Sequence, residues 1–156
     1  MPPVNLPAIT SLMTSTTATS TRLTMLVTTQ HGAAQYGQGA DIIFTAAGKT
    51  GDGVFAAARQ RKARAIGVDS DQYESAPCCI VTSMVKRVDI AVVDVIKDVI
   101  ADKFKGGLHE LGLAEHGVSF IADEHNVPRL LPPEVVQRVK ALGEDIVAGK
   151  IVVPDK

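Results

Sequence analysis

Three short apolar runs set the strongest limit on what this chain can fold into: DIIFTA at 41–46, AIGVD at 65–69 and IVTSM at 80–84. Each is too short for a buried helix and each is bounded by small or polar residues, so each reads as a buried strand. Between the first two, Gly51–Ala63 carries Val54, Ala57, Ala58 and Arg61 at helical spacing. Strand, helix, strand with short connections specifies an α/β fold, a parallel sheet with covering helices. Lys86–Ala101 is expected to be a helix, with Val85, Val88, Val92, Val95, Ile96 and Val99 on one face. LHELGL (108–113), VSFIA (118–122) and the closing KIVVP read as further strands. Pro132 and Pro133 open a last helix that runs to Ala148 and stops at Gly149.

In open parallel sheets, ligands sit beyond the carboxyl ends of the strands. Three loops therefore matter: Ala47–Gly53, Asp69–Pro77 and Ser83–Arg87. The first lies in TAAGKTGDGV (45–54), which holds two phosphate-binding patterns in part. A phosphate loop ending in Gly48-Lys49-Thr50 needs its first glycine at position 43, which is Ile43, inside the strand. A dinucleotide fingerprint, Gly51-x-Gly53-x-x-Ala56 with Asp69 on the next strand, fits the spacing better. Its first glycine should close the turn that leaves the strand, yet Ala46–Thr50 intervene. The plain alternative is that these glycines start a helix capped by Thr50 or Asp52.

Two charged residues stand where the fold does not require them. Asp69 ends its apolar run at the rim of the sheet, where a carboxylate can accept two hydrogen bonds from a vicinal diol. It equally fits a loop cap in an Asx-type turn with Asp71. Lys86 and Arg87 are expected in or near the first helical turn, where the macrodipole disfavours cations. Either a nearby group needs a donor, or both side chains reach into solvent or pair with Asp89 or Asp71. His31, His109, His116 and His125 show no metal-ligand spacing, and no serine sits in a nucleophile elbow. Adjacent cysteines rarely bridge, so Cys78 and Cys79 are expected to be unbridged spectators. No catalytic residue, metal site or cofactor is expected.

The net charge of -1 leaves no electrostatic footprint for nucleic acid, and 4% aromatic residues without Trp leave few stacking platforms. No apolar run approaches the roughly 20 residues of a membrane span, and MPPVNLPAIT has no basic leader region. Residues 10–29 hold twelve Ser or Thr, and Arg22 is the one formally charged side chain before Asp41. That bias divides the chain into a Ser/Thr-rich tail, 1–29, expected to be disordered, and a folded unit, 30–156. A poor edge strand around Leu23–Val27 is the alternative.

Taken together, GADIIFTAAGKTGDGVFAAA, AIGVDSDQ and VTSMVKRVDIAVVDVIKD resemble the C-terminal part of the basic membrane protein family. FKGGLHELGLAEHGV and PPEVVQRVKALGEDIVAGKIVVP continue the resemblance in order, over roughly residues 30–153. These are substrate-binding lipoproteins of ABC transporters, many of them nucleoside binders. The resemblance implies part of a type I periplasmic-binding fold, mainly one lobe. It implies a nucleoside-like ligand, an ABC transporter permease as partner, and an extracytoplasmic place held by a lipid anchor. It places Asp69 and Lys86 on the ribose hydroxyls, with Ala47, Gly48, Thr50 and Gly51 lining the site. The family's first lobe and lipid-bearing cysteine have no counterpart here, so a truncated chain with weakened or lost binding is expected. The competing readings are an NAD-binding oxidoreductase domain that uses Gly51, Gly53 and Asp69, and a degraded reading frame without function.

Overall fold

The computed structural model describes residues 21–154. Helix α1 (Thr21–Gly37) leads to strand β1 (Ile42–Phe44), a 3-10 turn at Gly48–Thr50 and helix α2 (Gly51–Arg61). Strands β2 (Arg64–Asp69) and β3 (Ile80–Lys86) follow, joined by a crossover that holds a short 3-10 turn at Tyr73–Ser75. Helix α3 (Val88–Ile100), strand β4 (Val118–Phe120) and helix α4 (Pro133–Val147) complete the chain. The sheet order is β1-β2-β3-β4; the first three strands are parallel and β4 runs antiparallel to β3.

The core lies between the sheet and the α1–α2 pair. Phe55, Ala57 and Ala58 of α2 meet Ala65 of β2, Ile80 of β3, Ala76, Cys79 and Tyr36. Small residues let the two helices cross closely. A Cβ on Gly53 would collide with the side chain of Thr28 and lie 2.7 Å from the Thr29 nitrogen. Gly32 faces the Ala57 Cβ at 3.2 Å in the same way. Ordered structure here extends back across residue 29, where a disordered tail is expected. Residues 21–29, Leu23–Val27 included, are helical, because α2 gives a Thr-rich segment of weak intrinsic propensity a tertiary partner. The expected tail at residues 1–20 lies outside the described residues.

Tyr36 closes the lower end of this core, its hydroxyl donating to the Arg64 carbonyl at 2.7 Å. Burial pushes its pKa from 10.0 up to about 12. The folded state therefore holds this proton more tightly than the unfolded chain does. The stability it contributes is complete below pH 10 and is lost as pH rises towards about 12. Denaturant melts across that interval should show wild type losing stability faster than Tyr36→Phe, whose difference from wild type isolates the phenol from titrating lysines.

Several expected elements move or disappear. The helix expected at Lys86–Ala101 begins at Val88, and Lys86 is the last residue of β3. Residues 108–113 form no strand: Leu108 is exposed, and the Gly117 N–H turns back to the Gly112 carbonyl at 2.8 Å. Residues 150–154 form no strand either, and Val152 and Val153 are exposed. Cys78 and Cys79 are joined by a disulfide within the turn at 77–79, against the expectation of an unbridged pair. Asn126, buried without any local sequence signature, donates to the Val81 and Ile121 carbonyls and ties the loop after β4 onto β3.

Helices α3 and α4 contribute no buried residue. The stripe expected on α3 is present but uncovered, with Val88, Val92, Val95, Ile96 and Val99 between 42% and 63% exposed. Val135, Val139, Leu142 and Val147 of α4 are exposed in the same way. No helix among the described residues is long and apolar enough to cross a membrane.

Candidate functional site

Parallel pairing aligns the carboxyl ends of β1, β2 and β3 at one edge of the sheet. Phe44 lies beside Ile66, and Asp69 beside Val85, one residue before Lys86. The Asp69 carboxylate and the Lys86 ammonium meet there at 2.8 Å. Their side chains are 53% and 60% exposed. An ion pair so open to solvent adds about 0–1 kcal/mol to stability at most, so the fold does not depend on it.

Asp69 is also held in an unusual conformation. Its φ of +69° lies in the left-handed region, where a non-glycine residue costs on the order of 1–3 kcal/mol. Aspartate tolerates that region better than most residues. The left-handed step ends β2 and aims the carboxylate across to β3. Asp71, not Asp69, makes the Asx-type turn, accepting the Tyr73 N–H at 3.0 Å. Arg87, not Lys86, is the cation at the start of α3, and it pairs with Asp89 at 2.7 Å. Hydrogen bonding from Arg87 lowers the Asp89 pKa and raises that of Arg87. The dipole argument for Lys86 is therefore wrong in its premise, since Lys86 sits on a strand, although the residue does reach the site.

The loop after β1 forms the adjoining wall. The Thr45 N–H and hydroxyl both donate to the Ile66 carbonyl, at 3.0 and 2.9 Å, and fix the loop to β2. The Thr50 hydroxyl donates to the Ala47 carbonyl at 2.5 Å, and the Gly51 N–H returns to the carbonyls of Gly48 and Lys49. The polar groups of Thr50 and Gly51 thus close the turn. Gly48 has a φ of +55° and nothing within 4 Å of where a Cβ would project, which leaves open space beside the loop. Lys49 is exposed. The glycines of the dinucleotide pattern have structural occupants: Gly53 makes room for Thr28, and Gly51 lies against Thr45.

A hollow of about 520 Å³ lies at the other end of the strands, among Tyr36, Asp41, Arg61, Lys62 and Arg64. It is remote from the Asp69–Lys86 edge. Sequence reasoning missed Gln72 and Ser83, which hold the turn behind Asp69: Gln72 reaches back four residues to Val68 and across 11 residues to Ser83.

A family model described as ABC transporter substrate-binding protein PnrA-like matches residues 30–156. The chain belongs to that family. It is 35% identical over 144 residues to a CD4+ T-cell-stimulating antigen of Listeria monocytogenes, a match that covers 81% of this chain and 39% of that protein. It is 34% identical over 118 residues to basic membrane protein C of Borreliella burgdorferi, covering 73% of this chain and 32% of that one. Among solved structures, an ABC transporter solute-binding protein of Aeropyrum pernix superposes with a TM-score of 0.66 at 28% identity. That match covers 84% of this chain and 45% of the Aeropyrum chain. The four-stranded, mostly parallel sheet is thus part of a periplasmic-binding-protein type fold. The chain spans about two-fifths of the Listeria relative it matches.

Proposed function

We propose that this chain forms one wall of a ligand cleft in an ABC transporter substrate-binding protein, and that the ligand is neutral, sugar-bearing and of nucleoside type. The observation that carries the reading is the 2.8 Å convergence of Asp69 and Lys86 at the carboxyl ends of β2 and β3. A carboxylate accepts from two hydroxyls, while an ammonium donates to a ring or hydroxyl oxygen. Together they cancel in charge and suit an uncharged polyol better than a phosphate. Ala47 and Gly48 line the neighbouring wall, and Thr50 and Gly51 support it from behind. The protein captures and delivers its ligand without transforming it. Its partner is the transporter permease, and its place is extracytoplasmic. One wall leaves much of a ligand in water, so the chain alone binds weakly.

Titration of the labelled chain with inosine, guanosine, adenosine and NAD, followed by amide NMR shifts, tests this. Ribonucleosides should move resonances at 47–50, 69 and 86, and their 2′-deoxy forms should move them less. Equal response to ribo and deoxy forms, or response to NAD alone, overturns the proposal.

A further inference from the structure

We infer that Gln72 is the positioning residue of this site: it fixes the left-handed turn at Asp69 and thereby sets where the carboxylate meets Lys86. The Gln72 side chain folds back over the end of β2, and its Oε1 accepts the Val68 N–H at 2.7 Å. That amide belongs to the residue before Asp69 and lies beyond the last β1–β2 pair, Phe44 with Ile66. The Gln72 N–H in turn donates to the Ser83 hydroxyl of β3 at 3.1 Å. Ser83 is fully buried, so the anchor on the second strand does not exchange with solvent. The Ser70 N–H closes on the Val68 carbonyl at 2.8 Å. Residues 68–72 thus form a loop pinned at Val68 and at Ser83, with Asp69 in its bend.

Gly67 makes the arrangement possible. A Cβ there would fall 2.5 Å from the Ser83 hydroxyl and 2.8 Å from the Gln72 Oε1. The space a side chain would fill is taken by the two groups of the latch. The hydrogen bonds of Gln72 go to Val68 and Ser83, so its effect on a ligand passes through the Asp69 backbone.

The statement about ligand rests on the diol reading above; the statement about Asp69 does not, and the experiment separates them. Gln72→Met keeps side-chain length without an acceptor, whereas Gln72→Glu keeps an acceptor at the same reach. In the wild type, the positive φ brings the Asp69 amide and Hα protons together and gives a strong intraresidue NOE, and the Val68 amide exchanges slowly. Gln72→Met is expected to weaken that NOE, to speed Val68 exchange about tenfold, and to weaken ribonucleoside binding about tenfold, the loss expected for one buried acceptor. Gln72→Glu should restore all three. An unchanged Asp69 NOE and Val68 exchange in Gln72→Met, or no rescue by Gln72→Glu, overturns the inference. Should Gln72→Met fail to fold, Ser83→Ala, which withdraws the acceptor from the Gln72 N–H, is read by the same two signals. A wild-type chain that shows the NOE but binds no ribonucleoside removes the diol reading and leaves the role of Gln72 standing.

Discussion

Asp69→Asn is expected to weaken ribonucleoside binding by about 1.5–3 kcal/mol, or roughly 10- to 150-fold, the range for a hydrogen bond to a charged group. It should also narrow the preference for ribo over 2′-deoxy ligands, because the amide keeps one acceptor oxygen but loses the second and the charge. Asparagine is the informative replacement here because, like aspartate, it tolerates the left-handed backbone of residue 69. The fold should remain intact, with stability changed by less than about 0.5 kcal/mol, since the ion pair it breaks is half exposed. Amide shift titrations and denaturant melts on the same samples read both quantities. Binding equal to wild type would remove Asp69 from the site. A large loss of stability would instead make it a structural residue.

Gly53→Val, at a buried position, is expected to give the largest stability loss of any single substitution in the α1–α2 pair. The new side chain would drive into Thr28 and towards the Thr29 backbone nitrogen at 2.7 Å, and backbone cannot yield by a rotamer change. Overpacking of this kind costs about 3 kcal/mol or more, a fall in Tm on the order of 10 °C for a chain of this size. Helix α1 should separate first, so limited proteolysis should cut within residues 28–37 of the variant well before it cuts wild type. Gly143→Ala is the control. Nothing lies within 4 Å of its Cβ position on α4, so it should stabilise that helix by about 0.5–1 kcal/mol. A Gly53→Val chain as stable as wild type would mean that α1 does not pack as described.

Much of this fold is written in local pattern. The β1, β2 and β3 runs alternate with α2 closely enough that parallel pairing follows, and the proline pair and Gly149 bracket α4 within a residue of the observed ends. Asp69 is legible as the residue that closes an apolar run at the carboxyl edge of the sheet; Lys86 stands out only through the macrodipole and the family resemblance, and the structure puts it on β3 rather than in a helical turn. What was hidden depends on partners far along the chain. Helix α1 is Thr-rich and has little intrinsic tendency to coil, so Gly53 and Ala57 decide it rather than its own sequence. β4 is legible as a strand in VSFIA (118–122), but its antiparallel pairing is not, because it needs the two residues by which β3 outruns the expected strand. Lys86 was placed on a helix because the valine periodicity of α3 runs back without a break into Val85. Gln72, Ser83 and Asn126 combine local hydrogen bonds, such as Gln72 to Val68 and Asn126 to Ile121, with ones that span 11 and 45 residues, and no local spacing encodes the long ones.

The uncovered stripes on α3 and α4 set how the chain loses its structure. The block from α1 to β3 shares one core and should open as a unit. A helix of 13 residues with no buried side chain is marginal in water, so α3 is expected to open and close at little free-energy difference while the block from α1 to β3 holds. Since α3 follows Lys86 directly, the far end of the ligand edge borders the softest part of the molecule. Whatever steadies that helix also steadies the lysine.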